Sequence, residues 1–226
     1  MSTIDNSATS GMMEAYYARR AKEYEGIYFR DDPVRQKEQL ELQASLKESL
    51  QGKHVLEIAC GTGYWTKFLS ESAGDIVATD FNQEVIEIAQ QKRYACPVSF
   101  QRADAYNLPF KPATFTGGMA NFWFSHVPKA KIAEFLTLFH RTLQPGSRVF
   151  MADNVNVPGL GGELIAKPGD ENTYKLRTLA DGAQQEILKN YFTPEELVSI
   201  FSAYDSSFSL AEVSQGECFW RLTYRV

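Results

Sequence analysis

Apolar positions along this chain fall into two alternating kinds of run. Short blocks rich in branched side chains, Val55-Leu56 with Ile58-Ala59, Ile76-Val77-Ala78, Pro97 to Phe100, the start of 115 to 128 and Arg148 to Ala152, read as strands covered on both faces of a parallel sheet. Between them, apolar residues recur every three or four positions. Helices are predicted over Val34 to Leu50, opened by Pro33, over Tyr64 to Leu69, over Glu84 to Lys92 behind the N-cap Asn82, and over Lys129 to Leu143, which Pro145-Gly146 ends. Thr193-Pro194-Glu195-Glu196 has capping-box form before a last helix carrying Leu197, Ile200, Phe201 and Tyr204. Two strands near Phe208 to Val213 and Cys218 to Tyr224 form a closing hairpin. Strand and helix in alternation predict an α/β fold with a doubly wound parallel sheet.

The stretch HVLEIACGTGYWT, residues 54 to 66, passes from strand through Gly61-Thr62-Gly63 into helix. That sequence makes a nucleotide-type cradle, in which the backbone approaches the ligand and the helix offers unpaired N–H groups and its positive dipole end. A dinucleotide fingerprint needs a third glycine where Thr66 stands. An acid some ~20 residues on, suited to ribose hydroxyls, is present as Asp80. Two further acids, Glu57 at the strand end and Asp104 in ADAYNLPF, separate the two nucleotide readings.

With these residues the chain resembles the class I S-adenosylmethionine (SAM) methyltransferases. The resemblance implies a Rossmann-like, seven-stranded class I methyltransferase sheet, SAM as cofactor and S-adenosylhomocysteine (SAH) as product. It places the methionine part of SAM on Gly61 and Gly63, the ribose on Asp80, and the adenine at Asp104 and Ala105. Glu57, Ala59, Thr66, Phe81 and Asn121 complete the cradle, Ala59 standing where the family usually has a glycine. Near the N-terminus, Tyr17, Ala21 and Tyr24 share one helical face; this suits a helix packed on the sheet edge, and it also matches the Tyr-x-x-x-Ala-x-x-Tyr pattern of small-molecule methyltransferases, which implies a lid with Tyr17 and Tyr24 over the cofactor.

Ligands of doubly wound sheets bind beyond the C-terminal strand ends, which is where FTGGMANFWFSHVP delivers Asn121, Trp123 and His126. Core packing competes for Trp123 and Phe124, and a loop-bracing role for His126. From Asn154 to about Asn190 the chain is polar, glycine-rich and irregular, and it is read as a substrate cap. The strings YYARRAKEYEGIY, ACGTGYWT, ADAYNLP, FWFSHVP, NTYKLRTLADG and EILKNYF resemble, in order, the C-terminal methyltransferase domain of ovothiol synthases, which methylates an imidazole nitrogen of 5-mercaptohistidine. The segment Val155 to Gly162 departs from that family. The expected site sets methyl transfer beside His126, Trp123 and Tyr174, with Tyr16 also on the acceptor; a histidine-like acceptor needs a carboxylate partner, for which Arg177 is the candidate, and an ammonium partner, for which Asn154 and Asn190 are, each of the three having a surface or loop-bracing role as its alternative. Competing functions are methylation of an amine, phenol or quinone, a non-catalytic SAM-binding partner protein, and an NAD-dependent reductase.

Bulk properties narrow the field. The 226 residues suit one domain, expected over 12–226 after a disordered 1–11, with N-terminal helices over 12–50 and the cap over 154–192. A net charge of −5 without a basic cluster argues against nucleic acid. Cys60, Cys96 and Cys218 are too scattered for a disulfide framework or a zinc site, so no metal is expected. Without a signal-like segment or a membrane-length apolar run, the protein is expected to be cytoplasmic, off the membrane, and a monomer or homodimer acting on a small molecule.

Overall fold

The computed structural model describes Gly26, Tyr28, residues 31–178 and residues 182–226. The expected N-terminal lid, with Tyr16, Tyr17, Ala21 and Tyr24, and Asp181 of the cap lie outside the described residues.

Helix α1 (Pro33–Ser49) starts from Asp32, whose side chain accepts the Arg35 N–H, with Pro33 at the first helical position. Then follow β1 (His54–Glu57), α2 (Tyr64–Ser70), β2 (Asp75–Asp80), α3 (Gln83–Gln90), β3 (Val98–Arg102), β4 (Phe115–Asn121), α4 (Ile132–Arg141) and β5 (Leu143–Asn154). The seven-stranded sheet runs β3-β2-β1-β4-β5-β10-β9, where β9 is Val213–Gln215 and β10 is Phe219–Arg225. Strands β1 to β5 are parallel; β10 runs antiparallel to β5 and β9 antiparallel to β10. This is the doubly wound α/β architecture expected from the pattern.

Alternating side chains explain why both faces are covered. Leu56, Val149, Met151, Trp220 and Leu222 point into one core with Phe135 and Phe139 of α4 and with Leu197 and Phe201 of helix α5 (Pro194–Phe201). Their neighbours Val55, Phe150, Ala152 and Phe219 point to the other face, where Leu42 and Leu46 of α1 meet Trp65 and Leu69 of α2. The capping box at Thr193 forms as expected, Thr193 and Glu196 each accepting the other's backbone N–H.

Several boundaries differ from the sequence reading. Pro145-Gly146 lies inside β5 rather than ending a helix, because a register shift between Phe115 and Gly117 of β4 absorbs the extra residues. Lys129–Lys131 is a 3-10 turn ahead of α4. Asn82 takes the cap position of α3, yet its side chain makes no cap bond. The stretch near Phe208 is not a strand; Leu210–Glu212 forms a 3-10 turn and pairing begins at Val213. The cap is not irregular: β6 (Leu164–Ala166), β7 (Thr173–Thr178) and β8 (Gln184–Leu188) form a separate antiparallel sheet.

Candidate active site

The cofactor half is built by the turn after β1. Cys60 N–H donates to Thr79 O (2.9 Å) and Gly63 N–H to Cys60 O (3.0 Å), tying the turn to β2 and closing it on itself. Gly61 and Gly63 hold positive φ of 55° and 78°, and Ala59, a non-glycine, holds 54°. A Cβ on Gly63 would collide with the Tyr94 hydroxyl and Ala89, whereas one on Gly61 would meet nothing within 4 Å. Gly63 therefore serves close packing behind the turn, and Gly61 faces open space.

Three acids surround that space. Asp80 ends β2 and accepts N–H bonds from Gly61 (2.8 Å) and Asn82 (2.9 Å); burial still raises its pKa. Glu57 is 2% exposed and its Oε2 has no hydrogen-bond partner. Burial pushes its pKa from 4.5 to about 8, an effect that Thr66, buried behind it, only partly opposes. Asp104, in the loop after β3, accepts the Tyr106 N–H at 2.9 Å. A cavity of about 420 Å³ joins Glu57, Ala59, Gly61 and Asp80 to Phe81, Asp104, Ala105 and Asn121. An orphaned buried carboxyl, a turn open at Gly61 and acids after successive strands fit SAM, whose ammonium and hydroxyl donors need such acceptors.

The same cavity continues between aromatic faces. Tyr28 stacks on Tyr64 at 3.8 Å and 6°, and Trp65 stacks on Phe122 at 5.5 Å. Phe122 is held at a positive φ of 57°, a backbone strain of the kind that concentrates at binding sites. Trp123 and His126 line this end, Trp123 with its indole N–H buried and unpartnered. Phe124 between them belongs to the core instead, against Phe192 and Phe201. His126 lies 2.8 Å by Nδ1 from the Leu188 carbonyl. A carbonyl only accepts, so Nδ1 carries the proton and the neutral ring has its lone pair on Nε2. Burial, reinforced by the positive charge of Lys189, holds His126 neutral.

Behind His126 lies an ionic network. Lys189, just after β8, donates to Ser125 Oγ at 2.6 Å and to Asp153 Oδ1 at 3.0 Å. Burial alone would raise the Asp153 pKa, but Lys189 and the N–H groups of Ser125 and Asn154 bring it below the usual value. Arg177, on β7, acts electrostatically on His126 and Lys189.

Other expected site residues sit elsewhere. The Tyr174 hydroxyl donates to Asp170 at 2.6 Å with Lys167 over its ring, and Tyr174 does not line the cavity. Asn190 is a buried latch: its amide donates to Val127 O and Asn172 Oδ1 and accepts from Thr173 N–H, which commits both donors to the cap. Asn154 braces Asp153, at 2.7 and 3.1 Å. The sequence reading missed Tyr28, Tyr64, Trp65 and Lys189 as site-forming residues; the strand end Asp153-Asn154 was legible as a place where ligands bind, but not the pairing of Asp153 with Lys189. Among the described residues, no group of three or more His, Cys, Asp or Glu is placed to hold a metal ion, and no helix is long and apolar enough to cross a membrane.

Comparison with known proteins agrees with this geometry. Residues 55–146 match the methyltransferase domain family model. A demethylmenaquinone methyltransferase from Lactiplantibacillus plantarum is 36% identical over 62% of this chain and 68% of its own length. A solved DhpI–SAH complex superimposes with a TM-score of 0.75 at 25% identity, covering 96% of both chains. A DhpI–SAM–HEP complex reaches 0.77 over the whole of both chains at 23% identity, a likeness of fold.

Proposed function

Because the chain belongs to the class I SAM-dependent methyltransferases, we propose that it methylates a ring nitrogen of a small heteroaromatic amino acid, with the imidazole of 5-mercaptohistidine as acceptor. The observation that carries this reading is the methyl-side end of the cavity, where stacked aromatic faces meet a neutral histidine. When bound, SAM supplies an electrophilic methyl on a cationic sulfur. Glu57, Asp80 and Asp104 bind the cofactor through its polar groups. Trp65 and Phe122 exclude water and present ring faces that favour a cation and a flat acceptor. An imidazole of ordinary pKa, ~6.5, is largely neutral at physiological pH and presents its own lone pair. His126 therefore orients the acceptor by accepting a hydrogen bond at Nε2; held neutral by burial, it is a poor proton acceptor, and the chemistry asks little more of it.

A quinol acceptor is the second reading, favoured by the demethylmenaquinone methyltransferase among the relatives and by the same apolar wall. Mass spectrometry of the products formed from SAM with 5-mercaptohistidine, histidine, a demethylnaphthoquinol and simple phenols tests both. One methyl on 5-mercaptohistidine, with histidine untouched, is expected. Methylation of the quinol alone would replace the first reading with the second.

A further inference from the structure

Beyond the aromatic wall stand three cations from separate elements and a buried carboxylate. Arg35 comes from α1, Arg177 from β7 and Lys189 from the end of β8, and both guanidinium groups act on the Lys189 ammonium. Arg35 is 5% exposed and Lys189 4%. The carboxylate is Asp153, already engaged by Lys189, Ser125 N–H and Asn154 N–H. Among the described residues no ion pair is formed by Arg35 or Arg177, and the Nε of each is buried without a hydrogen-bond partner, although the Arg35 side chain also hydrogen-bonds the Cys218 thiol. The Arg35 guanidinium lies 4.5 Å over the Phe219 ring, which packs edge-on against Phe122 of the cavity wall. On the opposite side the backbone of Gly161 lies so close to Arg177 that a Cβ there would strike the guanidinium. Lys175, next to it in the cap, is occupied by the carbonyls of Leu160 and Gly162, which fixes that glycine loop as a roof.

Sequestering guanidinium N–H groups without an anion is costly, and the cost falls steeply when an oxyanion takes the fork. We propose that Arg177, with Lys189 and Arg35 behind it, forms a pocket for an anionic group on the methyl acceptor, a carboxylate or a phosphoryl-type oxyanion, placed so that the rest of the acceptor reaches His126 and the aromatic wall. Guanidinium groups suit either anion, since their paired donors match two oxygens of one centre. Tyr191, whose hydroxyl is in the field of Arg177 and stays protonated to about pH 12 under burial, adds a donor at the rim. Paired guanidinium donors make the pocket select acids over neutral isosteres of the same shape. The inference rests on the reading that the acceptor occupies the cavity end at His126.

The test is calorimetric titration of the full chain loaded with SAH, using imidazole-4-acetate, its neutral amide, sodium acetate and inorganic phosphate as probes. Wild type is expected to bind imidazole-4-acetate at least about tenfold more tightly than the amide. Arg177→Gln abolishes the preference, Arg177→Lys retains part of it, and SAH affinity is the same in all three. Tighter binding of acetate than of phosphate assigns the carboxylate; the reverse assigns the phosphoryl group. Equal binding of acid and amide in wild type, or a preference that survives Arg177→Gln, overturns the proposal. Arg177-dependent binding of acetate or phosphate with no gain from the imidazole keeps the anion pocket and removes the heteroaromatic acceptor, so the two failures are distinct.

Discussion

Glu57→Gln is expected to make the ligand-free protein more stable at alkaline pH while removing its affinity for SAM. Glu57 is buried with an unpartnered oxygen, and burial raises its pKa from 4.5 to about 8. Between those values the folded chain binds more protons than the unfolded chain. Stability from this group is therefore complete below pH 4.5 and is lost as pH rises through 8. At about 1.36 kcal/mol per pH unit, the full excursion from 4.5 to about 8 is worth on the order of 5 kcal/mol. Most of it falls within an accessible window: from pH 5 to pH 8.5 the stability gap between Glu57→Gln and wild type should widen by about 4 kcal/mol. Asp80, also raised by burial, adds a slope of the same sign to both proteins, so the comparison cancels it. Urea denaturation of the two proteins across that range reads the gap directly, and titration with SAM at pH 7 should show at least about a tenfold loss of affinity for the variant. Parallel stability curves for wild type and variant would refute the reasoning, because they would mean that Glu57 is already ionised and solvated in the empty cradle.

Lys189→Met should destabilise the chain by about 3–5 kcal/mol by leaving the Asp153 carboxylate buried and unpaired; restoration of much of the loss by adding Asp153→Asn, read as denaturant midpoints, checks the cause. Ala59→Gly should raise the midpoint slightly, since relief of left-handed strain at φ 54°, worth about 1–2 kcal/mol, exceeds the roughly 0.5–1 kcal/mol of extra chain entropy a glycine loses. An unchanged or lower midpoint would show that the Ala59 backbone is unstrained.

What the sequence disclosed follows burial. Strands β1 and β2, covered on both faces, announce themselves as apolar blocks, and the capping box at Thr193 acts over three residues, so both were legible. Strand β7 was not: only Lys175 is buried along Thr173–Thr178, and a half-exposed strand with a lysine inside carries no apolar period. The start of β5 was hidden because proline and glycine usually end elements, and only its neighbour's register shift accommodates them. Within the site, the glycine turn and its acids occupy fixed offsets along the chain. The Lys189–Asp153 pair spans 36 positions, and Tyr28 meets Tyr64 from a different element; contacts of that range have no local signature. Asn190 illustrates the reverse error, a polar residue near strand ends whose amide holds the cap in place.

Three consecutive residues at the end of β8 meet three different neighbours: the Leu188 carbonyl takes the His126 ring, Lys189 takes Asp153, and Asn190 N–H takes the Ser125 carbonyl. The small sheet is thus tied to the large one at the end of β8, whereas the glycine turn and the acids of the cofactor cradle lie at the ends of the first three strands and in the turns that follow them. The molecule is in effect modular. Exchanging the segment between Val155 and Ile187 while keeping the residues at the end of β8 is expected to alter which compounds are accepted while leaving the glycine turn and its acids in place.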